Sequence, residues 1–322
     1  MNIAFAGFRH GHIYGLYSAA QKDEAVTIVG CYEENEQERQ KAQTGHDITF
    51  NYATYEELLN DETVEAVAIG DYYAKRGMMV IEALKHGKHV ICDKPICTEL
   101  DELTEIEKLS LEKQLKVCCM LDLRYMPQVS KVKELIASGE LGELHVASFT
   151  GQHCLDYGNR PGWYFEDGKH GGTINDIAIH GIDLLRFLTG KNVTKVNCAK
   201  VWNAFADKEP AFKDCGQFMI EMEGMSVMAD VSYAAPKFAG TMPTYWNFYF
   251  WGSKGMLNFN LKESVIRVYK STEEIISCEK CKPGYLKAFM DEIKGIKTIM
   301  DTENILKSQR QVLMIQKAAE DC

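Results

Sequence analysis

The first 120 residues alternate short runs of apolar and β-branched residues with amphipathic helical segments. The short runs predict five strands, at Asn2–Ala6, Val26–Tyr32, Val64–Ile69, His89–Cys92 and Lys116–Met120. Helical periodicity lies between them, as at Tyr55–Asn60 and Met78–His86. Parallel neighbouring strands need a crossover connection, usually a helix. The pattern therefore predicts an α/β domain with a doubly wound parallel sheet.

Beyond about Leu123 the pattern changes to longer strands joined by turns. Six are predicted, at Leu144–Gly151, Val193–Val201, Gln217–Glu223, Ser226–Tyr233, Tyr245–Trp251 and Val265–Tyr269. One helix interrupts them at about Thr173–Leu188, and helical segments end the chain at Tyr285–Gly295 and Glu303–Glu320. These features predict an α+β domain with a mostly antiparallel open sheet and helices against one face.

A chain of 322 residues suits two domains better than one, because single cores stop growing near 250 to 300 residues. The change of pattern places the boundary near residues 120–125. We predict domains at residues 1–122 and 123–322. The open face of the second domain's sheet is an expected assembly surface.

Composition narrows the class of partner. Asp and Glu (46) outnumber Lys and Arg (36), which gives a formal charge of −10. This excess argues against nucleic acid or an anionic membrane as a partner and favours a small molecule. We find no secretory signal and no apolar run long enough to cross a bilayer. Eleven cysteines, an odd number, fit reduced thiols, so we expect a cytoplasmic protein.

Cys278 and Cys281 form the one paired-thiol spacing in the sequence. A zinc site would need a second such pair or nearby histidines. We therefore expect a loop here and no metal in the protein.

A glycine turn follows the first predicted strand, where a Rossmann fold binds phosphate. A helix N-terminus there offers free N–H groups and a favourable dipole to a pyrophosphate. Of the G-x-G-x-x-G template, only Gly7 fits; Arg9 and His12 occupy the other two glycine places, and Gly11 lies between them. Arg9 either contacts a phosphate directly or blocks its close approach.

Glu33 and Glu34 follow the second predicted strand. A carboxylate at this distance from the glycine turn binds the adenosine ribose hydroxyls and repels a 2′-phosphate. This favours NAD over NADP. The alternative, which applies more to Glu34, is that the acids cap the predicted helix Glu36–Gln43.

Lys94 stands between Asp93 and Pro95 at the end of the predicted strand His89–Cys92. Because proline disfavours helical conformation in the preceding residue, Lys94 is expected at a strand terminus and not in the next helix. Open α/β sheets bind ligands at the carboxyl ends of their strands, so this ammonium is a candidate active-site group. The alternative on this segment alone is a surface lysine in a loop.

Asp176 and His180 lie four residues apart, on one face of the helix predicted near Thr173–Leu188. This spacing lets a carboxylate orient an imidazole and stabilise its protonated form, as a general base for an alcohol requires. Thr173 is expected to cap the helix. The alternative is a core histidine satisfied by Asp183.

These segments occur in the order typical of one known family. After the glycine turn come ALKHGKHVICDKP (83–95), GELHVASF (142–149) and GGTINDIAIHGIDLLRFLTG (171–190). With them, essentially the whole chain resembles the family of glucose–fructose oxidoreductase, inositol dehydrogenase and the rhizopine-catabolism protein MocA. In that family the active site contains the lysine of a Glu-Lys-Pro motif and an Asp and a His on a helix of the second domain. The resemblance implies Lys94, Asp176 and His180 as catalytic residues.

Three features depart from the family's pattern. Asp93 replaces the usual glutamate, which shortens the reach of the carboxylate. Asp71 and Tyr72 replace a Thr-Pro pair, and Arg76 replaces the histidine that follows. The residues implied for cofactor binding are Gly7, Phe8, Arg9, His10, Gly11, His12, Glu33, Asp71, Tyr72, Arg76, Asp93, Lys94 and Pro95.

Substrate contacts follow less directly from the sequence. The implied set is Lys94, Arg124, Tyr125, His153, Trp163, Asp176 and His180. Arg124 and Tyr125 either contact substrate or pack a hinge between domains. Trp163 and Tyr164 offer aromatic faces that can stack on a sugar ring, and the alternative for Trp163 is an anchor that packs the loop. The nearby Asp156 and Arg160 either contribute to the site or form a surface ion pair.

The resemblance implies hydride transfer between C4 of a nicotinamide and a secondary alcohol of a sugar, glycoside or inositol-like polyol. His180 would take the hydroxyl proton, Asp176 would orient His180, and Lys94 would stabilise charge on the reacting oxygen. The alternatives are net glycoside cleavage through transient oxidation and elimination, and a non-catalytic dinucleotide-binding regulator. The resemblance also implies a homodimer or homotetramer.

Overall fold

A computed structural model describes residues 1–237, 246–278 and 284–321. Contacts between residues divide the chain into two compact units. The first unit comprises Met1–Met120, Pro161–Gly171 and Gly284–Lys307. The second comprises Leu121–Arg160, Gly172–Pro283 and Ser308–Cys322. The predicted domains meet at a single boundary between residues 122 and 123. The packing units are not continuous in sequence, because two later segments, Pro161–Gly171 and Gly284–Lys307, pack with the N-terminal residues.

The first unit is built on a five-stranded parallel sheet with the order β2-β1-β3-β4-β5. Its strands are β1 (Asn2–Ala6), β2 (Thr27–Tyr32), β3 (Ala66–Ile69), β4 (His89–Cys92) and β5 (Val117–Cys119). The intervening helices are α1 (His12–Lys22), α2 (Glu36–His46), α3 (Tyr55–Asn60), α4 (Tyr73–Lys85) and α5 (Leu100–Lys113). Every residue of β3 is buried, as expected for a parallel sheet covered on both faces. The predicted doubly wound α/β fold is confirmed.

Helix α4 begins five residues before the predicted start at Met78. Its first turns contain Lys75 and Arg76, whose charges interrupt the apolar pattern from which the helix was predicted. Arg76 is nevertheless fully buried. The apolar pattern therefore did not predict the first turns of α4, in which Arg76 makes polar contacts.

The second unit is built on an eight-stranded sheet with the order β13-β12-β11-β10-β6-β9-β8-β7. Its strands are β6 (Leu144–Cys154), β7 (Val193–Trp202), β8 (Cys215–Met222), β9 (Met225–Ala235), β10 (Asn247–Gly252), β11 (Gly255–Asn260), β12 (Val265–Tyr269) and β13 (Glu273–Ser277). Only the β6–β9 pair is parallel among these described strands. The predicted mostly antiparallel sheet is confirmed. The pattern missed β11 and β13, and Tyr245 lies outside the described residues.

One face of this sheet is open. Along β8, Phe218, Ile220 and Met222 are buried while the alternating side chains are exposed. Met228 on neighbouring β9 is 64% exposed. Its expected use as an assembly surface stays a prediction.

The helix predicted at Thr173–Leu188 has two parts. A π-helical turn, Ile174–Ala178, precedes helix α7, Ile179–Thr189. Thr173 does not cap it, contrary to prediction, because Thr173 is itself helical and its hydroxyl donates to the carbonyl of Lys213. The first amides of the turn, those of Ile174 and Asn175, donate instead to Oε1 of Gln316, at 3.0 and 3.2 Å. A side chain far along the chain therefore satisfies this helix start.

Short 3₁₀ helices lie at Asp122–Tyr125 and Gly162–Tyr164, and three further α-helices complete the described fold. They are α6 (Pro127–Ala137), which the pattern missed, α8 (Tyr285–Ile293) and α9 (Thr302–Glu320). The hydroxyl of Thr302 accepts the amide of Val117 at 3.1 Å, which satisfies part of the edge of β5. No described helix has both the length and the apolar character that a membrane span requires. Cys281 lies outside the described residues.

Two helical glycines differ in the space around them, and this difference predicts opposite effects on stability. A Cβ on Gly181 in α7 would lie 2.2 Å from the Phe149 ring, whereas a Cβ on Gly15 in α1 would meet nothing within 4 Å. We expect Gly181→Ala to lower the free energy of unfolding by about 1–3 kcal/mol through overpacking. Gly15→Ala should raise it by about 0.5–1 kcal/mol through helix propensity. Urea unfolding measures both, and an equal shift for the two variants would contradict the close approach at Gly181.

Candidate functional site

Asp93 is a fully buried carboxylate that follows β4 in the first unit. Its Oδ2 accepts hydrogen bonds from Nδ1 of His10, at 2.5 Å, and from Nη2 of Arg76, at 3.1 Å. Its Oδ1 accepts hydrogen bonds from Nδ1 of His12, at 3.1 Å, and from the backbone amide of Lys94, at 2.7 Å. Burial alone would raise the pKa of Asp93, but His10 and Arg76 hold that pKa well below its usual range. Asp93 is therefore an ionised acceptor.

Arg76 connects the Asp-Lys-Pro segment to the turn after β3. Its Nε donates to the carbonyl of Asp71 at 2.7 Å. Its Nη1 donates to the carbonyls of Lys94 and Pro95, at 2.6 and 3.1 Å. The Lys94–Pro95 peptide bond is cis. Arg76 therefore holds the backbone carbonyls of the candidate lysine and of the proline after it.

Lys94 lies at the carboxyl end of β4, as predicted. It is only 6% exposed, so the alternative of a surface lysine is wrong. Its ammonium lies 5.7 Å from the centroid of the Tyr73 ring. Such a contact between a cation and an aromatic face is favourable when water is excluded.

The glycine turn leaves two amides open. Gly7 has φ +79°, and a Cβ there would lie 2.7 Å from Asp71, so the turn requires glycine at this position. The amides of Arg9 and His10 donate to the carbonyl of Gly70, at 3.2 and 3.1 Å. Those of Gly11 and His12, where α1 begins, have no acceptor among the described residues. These two N–H groups fit an anion such as a pyrophosphate.

Phe8 contributes little to a binding surface. Its ring is buried and packs edge-on against Phe50 at 5.2 Å. Its amide donates to Oε2 of Glu33 at 2.6 Å. We therefore place Phe8 beneath the turn.

Glu33 is buried and holds three donors. Besides Phe8, its carboxylate accepts Nε of Arg9 at 3.0 Å and the amide of Asn35 at 2.8 Å. Burial, with the negative charge of Asp71, raises the pKa of Glu33. The cap of α2 is Asn35, whose side chain accepts the amide of Glu38, so the capping alternative for Glu34 is wrong.

Arg9 lies against acidic side chains. Its Nη2 is 3.6 Å from Oε1 of Glu34, in addition to its contact with Glu33. Lys75 also contacts Glu34, at 2.7 Å, and Oδ2 of Asp71, at 3.1 Å. Asp71 and Tyr72, predicted near the cofactor, therefore border a cluster of alternating charges, and Tyr72 lies 6.0 Å from the Arg9 guanidinium.

The segment Pro161–Gly171 brings aromatic residues to the first unit. Trp163 donates Nε1–H to the carbonyl of Arg9 at 3.1 Å and stacks on Tyr164, with ring centroids 4.2 Å apart. The hydroxyls of Tyr164 and Tyr73 are 2.6 Å apart. Trp163 therefore anchors this segment on the glycine turn, which is the alternative given for it above.

His10, His12 and Asp93 place three potential metal-ligand atoms within 4.8 Å of one another. The buried guanidinium of Arg76 contacts the same carboxylate and would repel a cation there. We therefore assign the three side chains to a hydrogen-bond network. The expected absence of a metal stays a prediction.

In the second unit, Asp176 lies in the π-helical turn and is 2% exposed. Its Oδ2 accepts the hydroxyl of Tyr233 from β9. The Arg160 guanidinium lies 4.7 Å from the centroid of the same Tyr233 ring. His180, in the first turn of α7, is 8% exposed and meets Trp246 edge-on at 5.5 Å. The orientation of His180 by Asp176 stays a prediction.

Asp183, the alternative partner of His180, is occupied by other groups. Arg124 donates Nε–H to its Oδ2 at 2.7 Å and also contacts Oδ1. The hydroxyl of Ser308 donates to Oδ1 at 2.8 Å. Arg124 is 4% exposed, so this ion pair fastens α7 to its neighbours. Tyr125 beside it is half-buried.

The remaining polar candidates have partners in the loop around them. Arg160 donates to the carbonyls of Leu155 and Cys154, at 2.9 and 2.6 Å. Asp156 pairs with Lys237 at 3.0 Å, and its carbonyl accepts the amide of Arg160 at 3.1 Å. An ion pair between Asp156 and Arg160 stays a prediction. His153 is half-buried, with its ring 5.8 Å from that of Trp246.

Three functional candidates were missed. Tyr73 and Tyr233 contact Lys94 and Asp176, and Gln316 satisfies the π-helical turn. Tyr73 directly follows the altered Asp71-Tyr72 pair, so its position gave some signal. Tyr233 and Gln316 lie far along the chain from their partners and gave none.

Most of the chain matches models of one family. Residues 1–122 match the oxidoreductase family with an NAD-binding Rossmann fold. Residues 129–258 match the GFO/IDH/MocA C-terminal domain.

Two curated relatives match over part of their length. The chain is 28% identical over 155 residues to the uncharacterized oxidoreductase YrbE of Bacillus subtilis (strain 168), covering 47% of this chain and 43% of that protein. It is 26% identical over 189 residues to the trans-1,2-dihydrobenzene-1,2-diol dehydrogenase of Oryctolagus cuniculus, covering 58% and 56%. The matched region thus spans about half the length of these relatives.

A solved structure shares the complete fold. An oxidoreductase from Agrobacterium radiobacter, in complex with NAD+, L-tartaric acid and magnesium, has a TM-score of 0.82 at 17% identity. The match covers 100% of this chain and 96% of that one. The two family models and the parallel sheet with its glycine turn show that the chain belongs to the GFO/IDH/MocA family of NAD-binding Rossmann oxidoreductases.

Proposed function

We propose that the protein is an NAD-dependent oxidoreductase that acts on a secondary alcohol of a sugar, glycoside or inositol-like polyol. The observation that carries this proposal is the setting of Lys94. This lysine is buried at the carboxyl end of a parallel strand, between an ionised aspartate and a backbone held by Arg76. Ligands of open α/β sheets bind at such strand ends.

The cofactor site would use the turn and the end of β2. The open amides of Gly11 and His12 would bind the pyrophosphate. Glu33 would accept the adenosine ribose hydroxyls, with NADP the less favoured cofactor because Glu33 is acidic. The bound nicotinamide supplies the hydride acceptor or donor.

The chain's own residues would manage the proton and the charge on oxygen. In the direction of oxidation, His180 would take the hydroxyl proton while Asp176 orients its imidazole. Lys94 would donate a hydrogen bond to the same oxygen and stabilise its developing negative charge.

The same proposal extends to the protein's partners, its cellular location and its oligomeric state. Its partner would be a small carbohydrate or polyol, with no nucleic acid or membrane. We propose a cytoplasmic homodimer or homotetramer that assembles through the open face of the second unit's sheet.

Incubation with NAD and a panel of inositols, aldoses and glycosides tests the reaction. We expect NADH absorbance to rise with at least one polyol or sugar, because the proposed groups remove a hydride and a proton from CH–OH. Aglycone release without NADH accumulation would support the glycoside-cleaving alternative instead. NAD binding with neither product would support a regulator and contradict the proposal.

Lys94→Ala and His180→Ala test the catalytic roles. Each should lower kcat by about 10²–10⁴-fold, because each removes a group that acts on the reacting oxygen. NAD affinity, measured by calorimetry, should stay nearly unchanged. Lys41→Ala, at an exposed position in α2, is the control and should retain full activity. Full activity of either test variant would remove the role assigned to it.

Glu33→Gln tests cofactor choice. The side-chain amide keeps one acceptor oxygen, enough for the backbone amide of either Phe8 or Asn35, which donate to different oxygens of Glu33. It loses the negative charge and so releases Arg9 from its ion pair. We expect the ratio of kcat/KM for NAD to that for NADP to fall by about tenfold, as loss of about 1.4 kcal/mol implies. Glu36→Gln on exposed α2 is the control. An unchanged ratio would make Glu33 only a support for the turn.

A further inference from the structure

Helix α9 has an unusual row of buried polar side chains in the part that belongs to the second unit, from Ser308 onward. Ser308, Gln309, Gln311 and Gln316 are all at least nine-tenths buried, and we call them the polar face of α9. Burial of a polar group costs free energy unless it is hydrogen-bonded. The partners of this face lie in and next to residues 174–189, the helical segment that carries Asp176.

Gln316 holds the start of that segment. Its Oε1 accepts the backbone amides of Ile174 and Asn175, the two residues before Asp176. Its Nε2 donates to Oε1 of Glu320 at 2.7 Å, which fixes the orientation of the side-chain amide. One side chain of α9 therefore satisfies two of the amides that a helix start leaves without intrahelical acceptors.

Two further contacts bind the same turn to α9. Nε2 of Gln309, about two helical turns before Gln316, donates to Oδ1 of Asn175 at 2.8 Å. Gly172 has φ +93°, and a Cβ there would lie 2.2 Å from the side-chain amide of Gln316, so only glycine permits this approach. The carbonyl of Gly172 accepts the amide of Asp176 at 3.0 Å. The backbone of Asp176 is thus tied to the residue that packs on Gln316.

The rest of the polar face holds the other end of the segment. Ser308 donates to Asp183 in α7. Oε1 of Gln311 accepts the amide of Val193 at 3.0 Å, and its Nε2 donates to Oδ1 of Asn192 at 3.0 Å. A shift of the segment along α9 would leave several buried groups unpaired at once, which is unfavourable. These hydrogen bonds therefore fix the register of the segment against α9.

The side chain of Asp176 is held from another element. Tyr233 of β9 donates its hydroxyl to Oδ2 of Asp176, and its own amide donates to the carbonyl of Asp214 at 2.8 Å. Asp176 lies in a π-helical turn, a rare conformation that is frequent at functional sites. With α9 on the backbone and β9 on the carboxylate, the position of Asp176 depends on both contacts.

We propose that Gln316 is a positioning residue for Asp176. It fixes the π-helical turn against α9 and so determines where the Asp176 carboxylate meets Tyr233. Gln316 acts through the backbone of the turn and contacts neither substrate nor cofactor. The catalytic consequence rests on the proposed function, whereas the position of Asp176 does not depend on it.

Carbon-13 NMR of protein labelled at the Cζ atom of tyrosine tests the position without any substrate, because Tyr233 donates to Asp176. Tyr233→Phe identifies the Tyr233 signal by its loss, and Asp176→Asn gives the shift that follows loss of the carboxylate. We expect Gln316→Met to move the signal in the same direction by at least half as much. Gln311→Met, which removes another buried glutamine of α9 that accepts an amide, is the matched control and should leave the signal in place.

Two more variants keep the test decisive. Gln316→Asn retains the amide but withdraws it by one methylene, so it should also move the Tyr233 signal, even if Gln316→Met does not fold. The double variant Gln316→Glu/Glu320→Gln keeps an oxygen for the two backbone amides and reverses the hydrogen bond to position 320, so it should restore the wild-type signal. A Tyr233 signal that stays in place in Gln316→Asn, or that moves equally in Gln311→Met, overturns the proposal.

Kinetics test the catalytic consequence with the polyol or sugar that yields most NADH. Gln316→Met should lower kcat by about tenfold to hundredfold, because a small displacement of one group slows the chemical step. KM and NAD affinity should change by less than about threefold. The double variant should recover kcat to within about threefold, and Gln311→Met should keep the wild-type value. A lower melting temperature with full kcat in Gln316→Met would show a merely structural residue and contradict the proposal.

Failure of this inference can be distinguished from failure of the proposed function. If no polyol or sugar reduces NAD, the catalytic consequence fails with the proposed function, and the Tyr233 signal still decides whether Gln316 positions Asp176. If the wild type is active and Gln316→Met moves the signal without lowering kcat, the proposed function stands and the role of Gln316 is refuted.

Discussion

The buried ion pair of Arg76 and Asp93 is the interaction on which the first unit's candidate site depends. Two charges removed from water are tolerated only with further hydrogen bonds, and each partner here has them. Loss of one partner of such a pair costs about 3–5 kcal/mol, because the other charge is left buried and alone. The pair therefore links the helix after β3 to the backbone that carries Lys94. Because its carboxylate is ionised, the Nδ1 atom of His10 that contacts it must carry a proton.

The substitutions that make this chain unlike its family's pattern belong together. The shorter Asp93 reaches two histidines of an altered glycine turn, and Arg76 supplies the charge that balances it. In the sequence, each of these differences was considered separately, as a departure from the motif expected at that position. In the folded protein they form one network, with Tyr73 as an additional member. The candidate lysine thus lies next to a buried polar network that local sequence motifs do not reveal.

The segment Pro161–Gly171 shows why domain boundaries in the sequence and packing units differ. It lies inside the region that matches the C-terminal domain model, yet it packs with the N-terminal unit through Trp163, Tyr164 and the carbonyl of Lys169. Helix α8 also packs with that unit. A boundary drawn from strand and helix patterns follows the order of elements along the chain. It carries no information on which later loop returns to an earlier surface.

The sequence by itself determined the class of both sheets, the position of the glycine turn and the placement of Lys94, because these depend on local periodicity and on residues adjacent in the chain. It also placed Asp176 and His180 on one helical segment. Only the tertiary structure decided that Arg76 is buried, that Asp183 binds Arg124 and that Tyr233 and Gln316 serve the segment around Asp176. A buried polar group takes its partner from whatever backbone or side chain the fold brings near, and that choice is made between residues tens to more than a hundred positions apart.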